Sequence, residues 1–389
     1  MAAKLIRVKK PALTRFNIRK LRDGANSAQV NDLVNYINHR SAPSTVRLTG
    51  GGTSINKLAS LSKLEPFVIS VQRADDLKKI ILKLKEAGCQ NVNCGYLSNQ
   101  NQGLIITGTQ AYPPKIKTEK SVLAIVSLHN EADIIGHTVR HLLEEGVDVH
   151  VIDNWSNDNS HKIVQTLAKR NPGRVKIEMF PKKRVKNYDW TGILSRVEQI
   201  ASESSYDWYI HHDSDEIRLS PWPGTSLRRA ISYVDSLGYN AIDFTVLDFR
   251  PTQDGFGAKD DPEKFFKYFE FGSRSGHFVQ VKGWKKQPSI SLANSGGHEA
   301  AFEGRKIYPL KFVLKHYPLR STNQASKKIF KERLPRILEE ERQKGWHFQY
   351  DHFKKDHDFI WAKDGLIKFD DKFWSNYLLQ RISGIGIKD

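Results

Sequence analysis

A chain of 389 residues with 39% apolar and 10% aromatic side chains can bury a sizeable core and has length for two domains. That composition excludes a disordered or fibrous chain, and no apolar run nears the roughly 18 residues of a membrane-spanning helix. The net charge of +18 is uneven: the first 120 residues hold 20 of the 61 Lys and Arg but 7 of the 43 Asp and Glu.

Residues 1–22 carry eight Lys or Arg and no acid, a basic arm suited to nucleic acid, anionic lipid or another polyanion. They contain no apolar stretch of secretory type, so the chain is expected in the cytoplasm, where it could touch a membrane surface peripherally. Residues 23–118 read as a small α+β domain. Val30, Leu33, Val34 and Ile37 keep helical spacing, FVISV (67–71) is a strand, and Leu77, Ile80, Ile81 and Leu84 mark a helix ended by Gly88. Strands at 91–97 and 103–108 flank the turn SNQNQG, and the glycines at 50–52 read as a flexible turn. Cys89 and Cys94 have neither zinc-site nor disulfide-framework spacing and are expected as reduced thiols. Paired prolines in TGTQAYPPKIKTEK mark the boundary.

From 119 to 350, strands and helices alternate, which predicts a mostly parallel, Rossmann-like sheet with helices on both faces. The strands are SVLAIVSL (121–128), VDVHVID (147–153), VKIEMF (175–180) and DWYIHH (207–212); helices between them carry Ile135, Val139 and Leu142, then Ile163, Val164 and Leu167, then Ile193, Val197 and Ile200. Ligands of such sheets bind beyond the carboxyl ends of the strands. Three polar clusters fall there: His129-Asn130-Glu131, Asp153-Asn154-Trp155-Ser156-Asn157-Asp158, and His212-Asp213-Ser214-Asp215-Glu216. In an extended segment Asp213 and Asp215 would point to one side and converge on a hard cation. The second D-x-D, Asp356-His357-Asp358, reads as a solvated loop.

The succession VLAIVSLHNEADII, VHVIDNWSNDNS and YIHHDSDEI resembles the GT-A nucleotide-sugar-binding half of glycosyltransferase family 2, over roughly residues 120–350. The resemblance implies a hexosyltransferase-like enzyme that inverts at the anomeric carbon. It places Asp153 at the nucleotide base with Asn130, Glu131 and Asn154 nearby, Asp213 by the ribose and metal, and Asp215 on the metal. Asn154 and Trp155 stand where the family has a second acid and a glycine. The implied ligands are Mn²⁺ or Mg²⁺ and a nucleotide-diphosphate sugar, a UDP-sugar foremost.

In KFVLKHYPLRS (311–321), Phe312, Leu314 and His316 share a strand face. H-Y-P-x-R-S looks like the element that supplies a histidine ligand in bacterial relatives, so His316 is a candidate third ligand, and Arg320 and Ser321 could meet the diphosphate. Transfer also needs a base for the acceptor hydroxyl. Glu299 in SGGHEAAF is the first candidate, His298 the second, and Asp248, on the apolar face of AIDFTVLDF, the third. A basic amphipathic helix broken at Pro335 is expected over 322–350, and residues 351–389 read as a C-terminal extension. Relatives act on surface glycans or glycolipids. Modified DNA as acceptor, or non-catalytic polyanion binding on a transferase fold, are the alternative readings.

Overall fold

The computed structural model describes residues 116 and 118–370, with gaps at 222–223, 273–278, 309–310 and 344–349; it also describes residue 373 and the backbones of five strands within 1–115. Two compact units divide the chain: Met1–Lys115 with Asp370–Asp389, and Ile116–Phe369.

In the first unit, β1 (Lys4–Arg7), β2 (Val46–Thr49), β3 (Phe67–Val71), β4 (Cys89–Tyr96) and β5 (Leu104–Gln110) form a sheet ordered β1-β2-β3-β5-β4. The three strands expected from alternation are there. β1 lies within the stretch read as an arm, since K-L-I-R is short enough for its charges to mask it as strand. The helices expected near 30–37 and 77–84 and the glycine turn at 50–52 lie outside the described residues.

The second unit is built on one sheet. Its strands are β6 (Val122–Leu128), β7 (Asp148–Asp153), β8 (Val175–Met179), β9 (Trp208–Asp213), β10 (Glu216–Leu219), β11 (Ala241–Arg250), β12 (Tyr268–Phe271), β13 (Val279–Lys285), β14 (Phe312–His316) and β15 (Ile367–Lys368), the last paired to β12. The order is β10-β14-β11-β13-β9-β6-β7-β8, with β12 paired to β11. β6, β7, β8 and β9 are parallel, as are β11 and β14. All seven residues of β6 are buried, which explains its uninterrupted apolar run.

The helices α1 (Ile135–Glu144), α2 (Ser160–Arg170), α3 (Trp190–Glu203) and α4 (Leu227–Ser236) each bury one stripe; in α1 it includes Ile135, Val139 and Leu142. Leu194, Val197 and Ile200 of α3 pack with Leu123, Ile125, Tyr209 and Trp284 of the sheet. From β6 the chain steps outward to β7 and β8 and then returns to β9 on the other side of β6. The order therefore reverses between β6 and β9, and right-handed crossovers put α3 on the face opposite α1 and α2. The crevice at such a reversal is where open α/β sheets hold ligands. Register brings Ser127 level with Asp213, and Leu128 level with Asp153.

Downstream, the expected amphipathic helix is broken into four pieces: Thr322–Ser326 is α-helical, Lys327–Arg333 a π-helix, Leu334–Arg336 a 3₁₀ turn around Pro335, and Glu339–Gln343 α-helical. Ala325, Lys328, Ile329 and Glu332 are buried at helical spacing, so the pieces keep one buried face, but two of its four members are charged. Residues 351–369 belong to the second unit, with Phe359 and Trp361 packing against Leu319 and Ile329. Asp356, His357 and Asp358 are exposed.

Candidate functional site

The carboxyl ends of β6 and β7 are held by their own polar side chains. Asn130 and Trp155 both have positive φ, 54° and 56°, the only non-glycine residues to do so among the described ones. Trp155 holds a left-handed backbone of the kind glycine adopts without cost. Its indole Nε1 donates to Pro181 O at 2.8 Å, tying the turn to the next strand end.

Asp153 is fully buried. Its Oδ1 accepts from Ser156 N (2.9 Å) and Oγ (2.7 Å), and Oδ2 meets His161 Nδ1 at 2.7 Å. Asn154 accepts from Arg336 Nη2 (2.7 Å) and donates to Phe180 O (3.0 Å). Asn130 donates to Glu332 Oε1 (2.7 Å) and accepts from Asn157 N (2.8 Å). His129 lies beneath Arg336 with Nδ1 2.8 Å from Asn154 O, and burial together with Arg336 and Arg333 pulls its pKa down to about 3.

Ser214 and Asp215 form a turn between β9 and β10, so the D-x-D is not extended as expected, and its two carboxylates take different partners. Lys282, only 1% exposed, donates from Nζ to Asp213 Oδ2 at 2.6 Å and approaches Glu216 Oε1 at 3.3 Å. Lys328 donates to Asp215 Oδ2 and also lies 2.8 Å from Glu131 Oε1 and 3.1 Å from Pro318 O. Those three acceptors saturate the ammonium. Burial alone would raise both carboxyl pKa values, but Lys282 at Asp213 and Lys328 at Asp215 override it and hold both well below the usual carboxylate range.

His316 completes this end of the sheet. β14 lies between β10 and β11 and sets His316 level with Glu216 on one side and Asp248 on the other. Its Nδ1 hydrogen-bonds Asp248 Oδ1 at 2.7 Å, and Nε2 lies 3.8 Å from Asp215 Oδ1. Burial opposes charge on the ring, yet the Asp248 hydrogen bond and the Asp215 carboxylate raise its pKa above the ordinary histidine value.

Arg320 is read from sequence as a diphosphate contact, but it is fully buried and points inward. Its guanidinium bonds Glu131, both Asp133 oxygens (2.8 Å each) and Tyr317 O (2.8 Å). The Ser321 hydroxyl likewise caps the helix that follows, accepting from Gln324 N at 3.2 Å. Both are engaged in building the site floor.

The three candidate bases separate clearly. Asp248 is turned to His316, and His298 Nδ1 lies 3.2 Å from Gln280 Nε2. The Glu299 side chain is 49% exposed and ion-paired with Arg305. Glu299 bridges to Val281. The pairing of Gly283 with Ile210, continued along β13, sets Val281 beside the carboxyl end of β9. Gly297, at φ +89°, lets this loop press on the sheet: His211 Nδ1 hydrogen-bonds Gly297 O at 3.0 Å, and Trp190 Nε1 donates to Gly296 O at 2.8 Å.

Lys282, Lys328, Tyr188 and Arg336 are part of the site and are not singled out in the sequence. Tyr188 is buried, stacks on Trp190 at 5.8 Å, lies under the Arg333 guanidinium at 4.4 Å, and donates its backbone N–H to Arg336 O at 2.8 Å. The one sequence signal was Lys282 in VQVKGWK, a charge inside a strand.

A divalent cation can be judged against this donor set. Asp215 Oδ1 and His316 Nε2 face each other, and each is steadied from behind, by Lys328 and Asp248 respectively. A carboxylate and an imidazole suit Mn²⁺ at least as well as Mg²⁺. Among the described residues no group of three or more His, Cys, Asp or Glu gathers closely enough to hold a metal, so the fit is to a pair of protein donors, with Asp213 turned to Lys282.

Residues 123–222 match the model for glycosyl transferase family 2. Among solved structures, the chain is similar to a mannosyltransferase from Pyrobaculum calidifontis in complex with GDP-Man and Mn²⁺ (19% identity, 34% of this chain and 37% of that one, TM-score 0.27). It is also similar to S. aureus TarS (14% identity, 54% and 40%, TM-score 0.30) and to TarS 1–349 in complex with UDP (13% identity, 51% and 61%, TM-score 0.27). The chain spans less than two thirds of the length of each. No curated protein matches it.

Proposed function

We propose that this chain, a glycosyltransferase through the glycosyl transferase family 2 domain at residues 123–222 and its GT-A architecture, moves a sugar from a nucleotide-diphosphate sugar to an acceptor hydroxyl with the help of a divalent cation. The observation that supports the reading is the meeting of Asp215, in the turn after β9, with His316 at the carboxyl end of β14. Those two residues would hold the cation, and the donor's diphosphate would supply further oxygens. When bound, the cation neutralises charge on the diphosphate as it leaves. The donor is a UDP-sugar in this reading, with the base near Asp153 and Asn154.

Glu299 takes the acceptor proton. The acceptor oxygen bonds to the anomeric carbon, the bond to the diphosphate breaks on the opposite face, and configuration inverts. The side chain's exposure and its position beside β9 support this over Asp248, whose carboxylate is turned to His316. The acceptor is proposed to be a surface glycan or glycolipid. Exposed Lys182, Lys183, Arg184 and Lys186, in the loop leading to Tyr188, suit an acceptor carrying phosphate or another anion. The basic N-terminal region, proposed to meet lipid or nucleic acid, lies outside the described side chains. No described helix is long and apolar enough to cross a membrane.

The test is a thermal-shift screen of nucleotide sugars with Mn²⁺, followed by donor hydrolysis with the sugar that stabilises the protein. Activity should require Mn²⁺ or Mg²⁺ and disappear in Asp215→Ala. Full activity in that variant overturns the reading.

A further inference from the structure

His316 offers two ring nitrogens, and which one faces the crevice is decided by what holds the other. Asp248 is 8% exposed and sits on β11, directly beside His316 in the parallel pairing with β14. Its Oδ1 is 2.7 Å from His316 Nδ1. Its other oxygen lies 3.9 Å from Arg250 of the same strand, which reaches on to Glu270 at 2.7 Å. Glu216 flanks His316 from β10, but its carboxylate is engaged by Arg218 and Lys282. Among the described residues Asp248 is therefore the acid bonded to the ring, and the ring's far nitrogen is the atom left toward Asp215 Oδ1.

We infer that Asp248 is a positioning residue for the cation: by holding His316 Nδ1–H it fixes the tautomer and ring plane that present the Nε2 lone pair beside Asp215 Oδ1. This rests on the cation reading above and adds a residue to it. A carboxylate behind a ligating histidine makes the imidazole a better donor and keeps it from rotating away. Loss of such a partner typically weakens metal affinity about 10- to 100-fold. The position on β11 serves this well, because the strand is central, buried and hydrogen-bonded on both sides.

The experiment titrates Mn²⁺ into the full chain without donor, following free Mn²⁺ by electron paramagnetic resonance. Asp248→Leu, which removes the acceptor, should weaken binding about 10- to 100-fold, and Asp248→Asn, which keeps an acceptor oxygen, should weaken it less. Wild-type affinity in Asp248→Leu, while His316→Ala loses binding, overturns the positioning role and leaves the cation site standing. Wild-type affinity in His316→Ala and Asp215→Ala overturns the cation site, and the positioning role with it. A measurement on the wild-type protein covers the case in which Asp248→Leu does not fold. Nitrogen-15 spectra of the Mg²⁺-loaded chain should show His316 protonated on Nδ1 with Nε2 unprotonated, and the opposite tautomer overturns the inference.

Discussion

Lys328 and Asp215 are 113 residues apart in the chain and meet with Nζ 2.8 Å from Oδ2, inside a site where Lys328 also holds Glu131. Lys328→Met leaves two buried carboxylates without this cation. Breaking such a buried pair costs about 3–5 kcal/mol. Urea unfolding should show that loss, with Lys328→Arg recovering part of it; an unchanged midpoint in Lys328→Met would mean the ammonium is dispensable to the floor.

Gly297 has φ +89°, and a Cβ there would lie 2.9 Å from both His211 Cε1 and Leu194 Cδ2. Gly297→Ala combines left-handed strain with a clash against the sheet and should destabilise by about 1–3 kcal/mol. A thermal melt of the variant at the wild-type midpoint would contradict this.

Burial, with nearby cations, lowers His129 to about 3 and His211 to about 4 from an ordinary 6.5. Below pH 6.5 the unfolded chain binds protons that these folded imidazoles refuse. Their contribution is therefore fully present above about 6.5 and is lost as pH falls toward 4 and then 3. Each histidine adds up to about 1.4 kcal/mol per pH unit to the slope. His316, shifted upward, acts in the opposite sense and only as pH rises above 6.5. Unfolding free energies between pH 7 and 4.5 should fall steeply in the wild type and less so in His211→Asn; equal slopes would refute the assignment.

Glu299→Gln should lower kcat about 10²- to 10⁴-fold with little change in donor KM, if the carboxylate takes the acceptor proton. Arg305→Ala should leave donor KM intact and change kcat, because it removes the side chain that holds the Glu299 carboxylate in place. A Glu299→Gln enzyme as fast as wild type would return the role to His298.

Much of the sheet was legible because its signals are local. The apolar run of β6 and the periodic helices α1, α2 and α3 follow from burial on two faces or one, and each lies close to where the spacing predicts it. The polar strand ends were legible for the same reason: β7 and β9 end on Asp153 and Asp213, and β6 ends two residues before Asn130. The left-handed backbone of Trp155 was not legible, because no local pattern marks a tryptophan for positive φ.

What the sequence determined by itself was which strands are buried and where their polar ends fall, since periodicity reports burial one segment at a time. Only the tertiary structure decided the partners. Arg320 turns inward to Glu131 across 189 residues, Lys282 and Lys328 separate the two aspartates, and Asp248 stands behind His316 on an adjacent strand. Each outcome depends on which charge a buried carboxylate finds within about 3 Å, and that distance is fixed by strand order and by the path of residues 322–336.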